Sequence, residues 1–308
     1  KATLAWAMAR FLLATPDPQE DGLFGAPPVP QSLAVDPEHP VARRMLALSE
    51  PGLFLLRRGP NEKGDKLAAQ ILDDIAVYVV PGQTTGEIDR IITNMVEEAG
   101  AKSATIGYKG YQHASCISVN HVVCHGIPSE KKLKDGDILN IDVTVIVDGW
   151  HGDHSRMYAA GETKRIAGRL MDVTYESLMA GIAMVKPGNR FGDIGAAISD
   201  VARKNRFSVV EDFCGHGLGQ LFHDEPNVVH SARAGTGPIL KEGMFFTIEP
   251  MLNVGRKDAA ILSDGWTAVT RDRKLSAQFE HSVGVTKDGC EIFTASPKGL
   301  HTPHTVRD

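Results

Sequence analysis

An α+β domain made of two halves related by a pseudo-twofold axis is the fold this sequence predicts. The first observation is an internal repeat. The run Val80-Pro81-Gly82-Gln83-Thr84-Thr85-Gly86-Glu87-Ile88 matches Lys186-Pro187-Gly188-Asn189-Arg190-Phe191-Gly192-Asp193-Ile194 at an offset of 106. The second is a further match, Lys134-Asp135-Gly136-Asp137-Ile138-Leu139-Asn140-Ile141-Asp142 with Lys241-Glu242-Gly243-Met244-Phe245-Phe246-Thr247-Ile248-Glu249, at an offset of 107. Pro-Gly turns and glycine-led strands can coincide in any α/β protein, but two coincidences at nearly one offset argue for duplication. The third is the order of elements, since each half reads helix, Pro-Gly turn, helix, then strands.

In chain order, Ala2 to Ala14 is apolar but carries Arg10 and is too short to span a bilayer, which needs about 20 residues. An amphipathic helix is the plainer reading, a targeting remnant the other. Residues 1–60 hold nine of the 17 prolines and are expected to be an extended proline-rich segment, with a short helix around Val41 to Leu48. The folded domain is expected over 61–296, followed by a tail at 297–308. Helical periodicity runs through Leu67, Ile71, Ile75 and Val79 and stops at Pro81-Gly82. The four cysteines have no CxxC spacing, which argues for a reducing compartment rather than a disulfide framework. A net charge of −5 gives no reason to expect nucleic acid as partner. Composition is that of an ordinary globular protein, with no apolar run of membrane-spanning length, so a soluble, cytoplasmic protein is expected.

The segment Asn140-Ile141-Asp142-Val143-Thr144-Val145-Ile146-Val147-Asp148-Gly149-Trp150-His151-Gly152-Asp153 carries the sharpest local signal. Asp-Gly after a β-branched run is a two-residue hairpin turn. It pairs Val147 with Trp150, Thr144 with Asp153, and Asp142 with residue 155. Residues paired across a hairpin, and residues two apart on a strand, share a face, so Asp142 and Asp153 become diagonal neighbours. Two buried carboxylates repel unless a cation lies between them; on a solvent-facing hairpin they would be harmless. Gly215-His216-Gly217 presents an imidazole from backbone that others can approach closely. Phe245-Phe246-Thr247-Ile248-Glu249-Pro250 places Glu249 inside an apolar strand, where a lone charge is costly, and Glu280 lies in the β-rich run Ser276 to Val283. Each has a bland explanation alone. Together, four carboxylates and one imidazole suit two divalent ions: −4 meets +4, leaving a bound hydroxide as the excess charge.

His125-Gly126-Ile127-Pro128, Asn140-Ile141-Asp142-Val143-Thr144, His151-Gly152-Asp153, Gly215-His216-Gly217, Phe222-His223, Thr247-Ile248-Glu249-Pro250 and Gln278-Phe279-Glu280-His281 stand in an order that resembles the type I methionine aminopeptidases, over about 62–295. The resemblance implies the pita-bread fold, a central antiparallel sheet with helices outside. The activity it implies is removal of the initiator methionine when the second residue is small. It also implies five metal ligands, Asp142, Asp153, His216, Glu249 and Glu280. Those matching Asp153 and Glu280 bridge both ions, the one matching Asp142 holds one, and those matching His216 and Glu249 hold the other. By the same match His125 and His223 serve the scissile amide, near its nitrogen and its carbonyl respectively, while Tyr108, Tyr111, Cys116, Phe222 and Trp266 form the methionine pocket. An aromatic-lined pocket suits a thioether. The cofactor is two divalent ions drawn from Co, Mn, Fe or Zn, which ligand chemistry does not separate.

Two departures from the family pattern stand out: Gln112-His113-Ala114 where Pro-Lys-Ser is usual, and His154 where a threonine follows His-Gly-Asp. Strand alternation points His154 away from the metals. The 33-residue gap between His216 and Glu249 leaves no room for the helical insertion of the type II enzymes. Xaa-Pro peptidases share fold and ligand types but lack these His-Gly runs and carry a longer N-terminal domain. Non-catalytic pita-bread binding proteins lose ligands, whereas all five are present. Expected partners are peptides and nascent polypeptides beginning with methionine, with ribosome contact left open, no specific nucleic acid, no membrane, and a monomeric state.

Overall fold

The computed structural model describes residues 62–300, with isolated positions between 35 and 42. The chain divides into two units, Lys1–Arg57 and Arg58–Asp308, and every element below belongs to the second. The expected proline-rich segment at 1–60, apart from those isolated positions, and the tail beyond 300 lie outside the described residues.

Among residues 62–300 the helices are α1 (Glu62–Ile75), α2 (Thr85–Glu98), α3 (Arg165–Ile182) and α4 (Phe191–Lys204). The first strands are β1 (Lys102–Ser103), β2 (Cys116–Val119), β3 (Val122–Cys124), β4 (Asp137–Val147), β5 (Trp150–Ala160), β6 (Ser208–Val209), β7 (Gly215–Gly217) and β8 (Asp224–Val228). They are followed by β9 (Phe245–Ile248), β10 (Met251–Asn253), β11 (Ala259–Ile261), β12 (Ala268–Thr270), β13 (Ser276–Gln278), β14 (His281–Val285) and β15 (Cys290–Ile292). Every strand pairing is antiparallel. The strands form four hydrogen-bonded sheets: β1-β4-β2 with β5 on β4, β13-β10-β6, β11-β12-β3, and β15-β14-β9-β7-β8.

The repeat is visible in the backbone. Gly82 and Gly188 both take positive φ, 94° and 91°. Gly82 donates to the Leu133 carbonyl at 2.8 Å, and Gly188 to that of Leu240 at 3.1 Å. Isolated bridges join Thr84 to Lys132 and Arg190 to Ile239. At the helix starts, Glu87 accepts from the Thr84 N–H at 2.9 Å, as Asp193 does from that of Arg190 at 2.7 Å, satisfying one orphan donor in each helix. The α1 periodicity departs from expectation at its end. The α-helix stops at Ile75, a 3₁₀ turn covers Ala76–Tyr78, and Val79 is buried outside the helix.

Two large cores seat the helices on the strands. One core joins Ile71, Leu72 and Ile75 of α1 and Ile88 and Ile92 of α2 to Leu139, Ile141 and Val143 of β4. The other joins Leu170 and Leu178 of α3 and Ile194 and Ile198 of α4 to Phe246, Ile248 and Val283.

Candidate metal centre

The hairpin of β4 and β5 has the expected register, Val147 opposite Trp150, Thr144 opposite Asp153 and Asp142 opposite Ser155. Asp148 and Gly149 supply the positive φ angles, 53° and 83°, that a two-residue turn needs. Cys116 on β2 lies opposite Asp142 on the other edge of β4.

The other acids come from breaks between strands and not, as expected, from within continuous strands. Glu249 falls between β9 and β10, and Pro250 beside it has no N–H to continue a ladder. Glu280 falls between β13 and β14, where its N–H donates to the Ser155 carbonyl at 3.0 Å. Both acids line the cavity that Asp142 and Asp153 also line. Gly215 and Gly217 flank His216 because nothing larger fits: a Cβ on Gly215 would stand 2.3 Å from the Thr247 carbonyl oxygen, and one on Gly217 2.2 Å from that of Glu225.

All of the sequence-predicted site residues line one cavity of about 400 Å³. Asp153, His216 and Glu280 each bring a ligand atom within 4.8 Å of the others. His216 Nε2 is 3.6 Å from Asp153 and 3.7 Å from Glu249. Burial raises the carboxyls of Asp142, Glu249 and Glu280 well above the usual range, with Asp153 adding repulsion in each; burial also raises Asp153. Four carboxylates gathered on one imidazole are held only at the cost of protons or by cations, and this donor set fits divalent ions.

His125 takes φ 56°, an uncommon conformation for a residue with a side chain, and its ring meets Phe213 and Trp266 edge-on at 5.6 and 6.1 Å. Tyr108 Oη and His223 Nδ1 are 3.0 Å apart. Burial, followed by His216, pushes His223 down to about 3, so its ring is neutral. Tyr111 is buried against Trp266 at 4.9 Å, and Tyr108 lies 5.0 Å from Phe222.

Several side chains were not singled out from sequence. Thr144 donates to Asp153 at 2.7 Å, Thr247 to Glu249 at 2.9 Å, and Gln278 to Glu249 at 3.2 Å. His151 stacks on Phe222 at 5.4 Å, and His230 Nε2 accepts the Glu249 N–H at 3.1 Å. The hairpin register already paired Thr144 with Asp153, and Thr247 lies two residues before Glu249. His230 and Gln278 have no comparable local signal. His154 points away from the cavity as alternation requires: it bonds the Glu280 carbonyl through Nδ1 at 2.5 Å and stacks on His281 at 4.8 Å. His113 of the other departure pairs with Asp89 at 3.0 Å.

Residues 62–287 match Metallopeptidase family M24, and the chain belongs to that family. Within it, the chain is similar to the methionine aminopeptidase of Rickettsia prowazekii, 54% identical over 239 residues, or 77% of this chain and 92% of the relative. The crystal structure of methionine aminopeptidase from that organism matches at a TM-score of 0.75 and 53% identity, covering 76% of this chain and 94% of the other. Prolidase from Pyrococcus furiosus matches at a TM-score of 0.61 over 76% of this chain and 62% of its own, but at 18% identity it shows the fold alone.

Proposed function

We propose that this chain removes N-terminal methionine from peptides and nascent proteins whose second residue is small. One observation carries the reading: a single cavity joins the acid–imidazole cluster, two histidines and a pocket of Tyr108, Tyr111, Cys116, Phe222 and Trp266. The naming of its relatives at 54% identity as methionine aminopeptidases supports it.

The five donors would hold two divalent ions, drawn from manganese, iron, cobalt and zinc, with Asp153 and Glu280 serving both. The short distances from His216 to Asp153 and Glu249 support a shared position for one ion. When bound, such ions activate a water molecule and polarise the scissile carbonyl. The chain's own groups do the rest. Aromatic walls take the thioether by dispersion and sulfur–ring contact. Burial keeps the Cys116 thiol protonated, so it packs beside the side chain as a small neutral group. With the Tyr108 hydroxyl donating to His223 Nδ1 across their 3.0 Å contact, the His223 proton would sit on Nε2, where it would stabilise charge developing on the carbonyl oxygen. His125, held in the cavity wall with a left-handed backbone, would bond near the scissile nitrogen.

The test is a set of tripeptides Met-Xaa-Ser at equal concentration with metal-loaded protein. Ala, Gly and Ser at the second position are expected to be cut, and Lys and Leu poorly. Equal rates for Ala and Lys, or faster cleavage of Xaa-Pro peptides than of Met-Ala, would overturn the substrate assignment.

A further inference from the structure

The cavity lining contains one lysine and no arginine. Lys109 sits in a turn where Gly107 and Gly110 both take φ 85° and Lys109 itself takes φ 48°. Its ammonium lies 5.2 Å from the centre of the Tyr108 ring, and Tyr108 in turn meets His223. Lys109, Asp212 and His223 are the exposed members of the lining, so they mark the mouth. Asp212 is engaged there by the Ala259 N–H at 3.1 Å. The charge of Lys109 reaches inward: behind burial, it helps to lower His125, and behind burial and His216 it does the same for His223.

If the methionine fills the aromatic pocket and the scissile bond meets His125 and His223, the following residues leave past this mouth. Consecutive residues are about 3.8 Å apart along the chain, so the third and fourth come within reach of a lysine side chain at the rim. We propose that Lys109 determines specificity downstream of the scissile bond by attracting a carboxylate at the third or fourth residue of the substrate. The inference rests on the reading above. The aromatic face beneath the ammonium keeps it over the mouth rather than free in solvent, and a like-charged downstream side chain meets repulsion instead.

The experiment uses peptide amides, which lack a terminal carboxylate: Met-Ala-Xaa-Gly and Met-Ala-Gly-Xaa with Xaa as Glu, Gln or Lys. Steady-state constants are measured for the native protein, Lys109→Gln and Lys109→Glu. At low salt the native KM is expected to be about threefold to fivefold lower for Glu than for Lys in at least one series, the size of an exposed ion pair. That ratio shrinks in high salt, disappears in Lys109→Gln and inverts in Lys109→Glu. Equal KM values for Glu and Lys in the native protein, or a preference that survives Lys109→Gln, overturns the proposal while cleavage of the Gln amides leaves the methionine reading standing. No cleavage of any of these amides by metal-loaded protein sinks both.

Discussion

Asp153 is held from three sides: Thr144 donates to one carboxylate oxygen, His216 faces the other at 3.6 Å, and Ser282 donates to its backbone carbonyl at 2.7 Å. A bridging ligand must be aimed as well as present, and groups that aim ligands typically govern 10–100-fold in affinity or activity. Thr144→Val keeps the shape and removes the donor. We expect about a tenfold loss in metal affinity or turnover, readable by metal titration, with little change in folding. Unchanged affinity and turnover would mean that Asp153 needs no such support. Asp142 lies outside the group in which Asp153, His216 and Glu280 bring ligand atoms within 4.8 Å of one another. Asp142→Asn is therefore expected to weaken chiefly one equivalent of metal, while Asp153→Asn weakens both; matched losses in the two variants would contradict the bridging role.

Glycines set the spacing of the central strands. In Gly215→Ala, the new Cβ would meet the Thr247 carbonyl at 2.3 Å and push β7 away from β9, carrying His216 with it. Overpacking of this kind costs about 1–3 kcal/mol, or a fall in Tm of roughly 2–12 °C for a domain this size. Calorimetry showing an unchanged Tm would refute that close approach. At this scale the sequence was most informative where a local pattern dictates geometry. Asp148-Gly149 set the β4–β5 register, and so the relation of Asp142 to Asp153, because a two-residue turn permits one pairing. The duplicated Pro-Gly and glycine-led runs returned as matching turns and helix starts. The break at Glu249 had a local signal in Pro250, which has no N–H for a ladder, but that at Phe279-Glu280 was not legible, since the run Ser276 to Val283 looks continuous. The partners of Glu249 were equally hidden: Gln278 and His230 arrive from elements remote in the chain, with no spacing rule to link them.

For the whole molecule, the acid cluster ties folding to metal and to pH. The raised carboxyls mean that the metal-free folded state keeps protons which the unfolded state has released. Their contribution to stability therefore falls as pH rises from the ordinary carboxylate range toward the raised values. Buried His154 and His230, pushed down to about 3, act oppositely: the unfolded state takes up protons they refuse, so their contribution grows as pH rises through 6.5. The histidines are common to loaded and metal-free protein and cancel in the difference between them, whereas the ligands must lose protons to bind ions. The gain in Tm on adding saturating manganese is thus expected to be larger at pH 7.5 than at pH 5.5; an equal or smaller gain at pH 7.5 would count against the cluster as the ligand set. The family match begins at residue 62, so a chain lacking residues 1–55 is expected to keep turnover of tripeptides, and a folded, metal-loaded truncation without it would contradict that. The central claim, metal-dependent removal of methionine at the acid cluster, is tested most directly by mass spectrometry of Met-Ala-Ser after incubation with chelator-stripped protein, metal-reloaded protein and reloaded Asp153→Asn. Free methionine and Ala-Ser are expected from the reloaded native protein alone, and either release by the stripped protein or native-rate release by Asp153→Asn would contradict it.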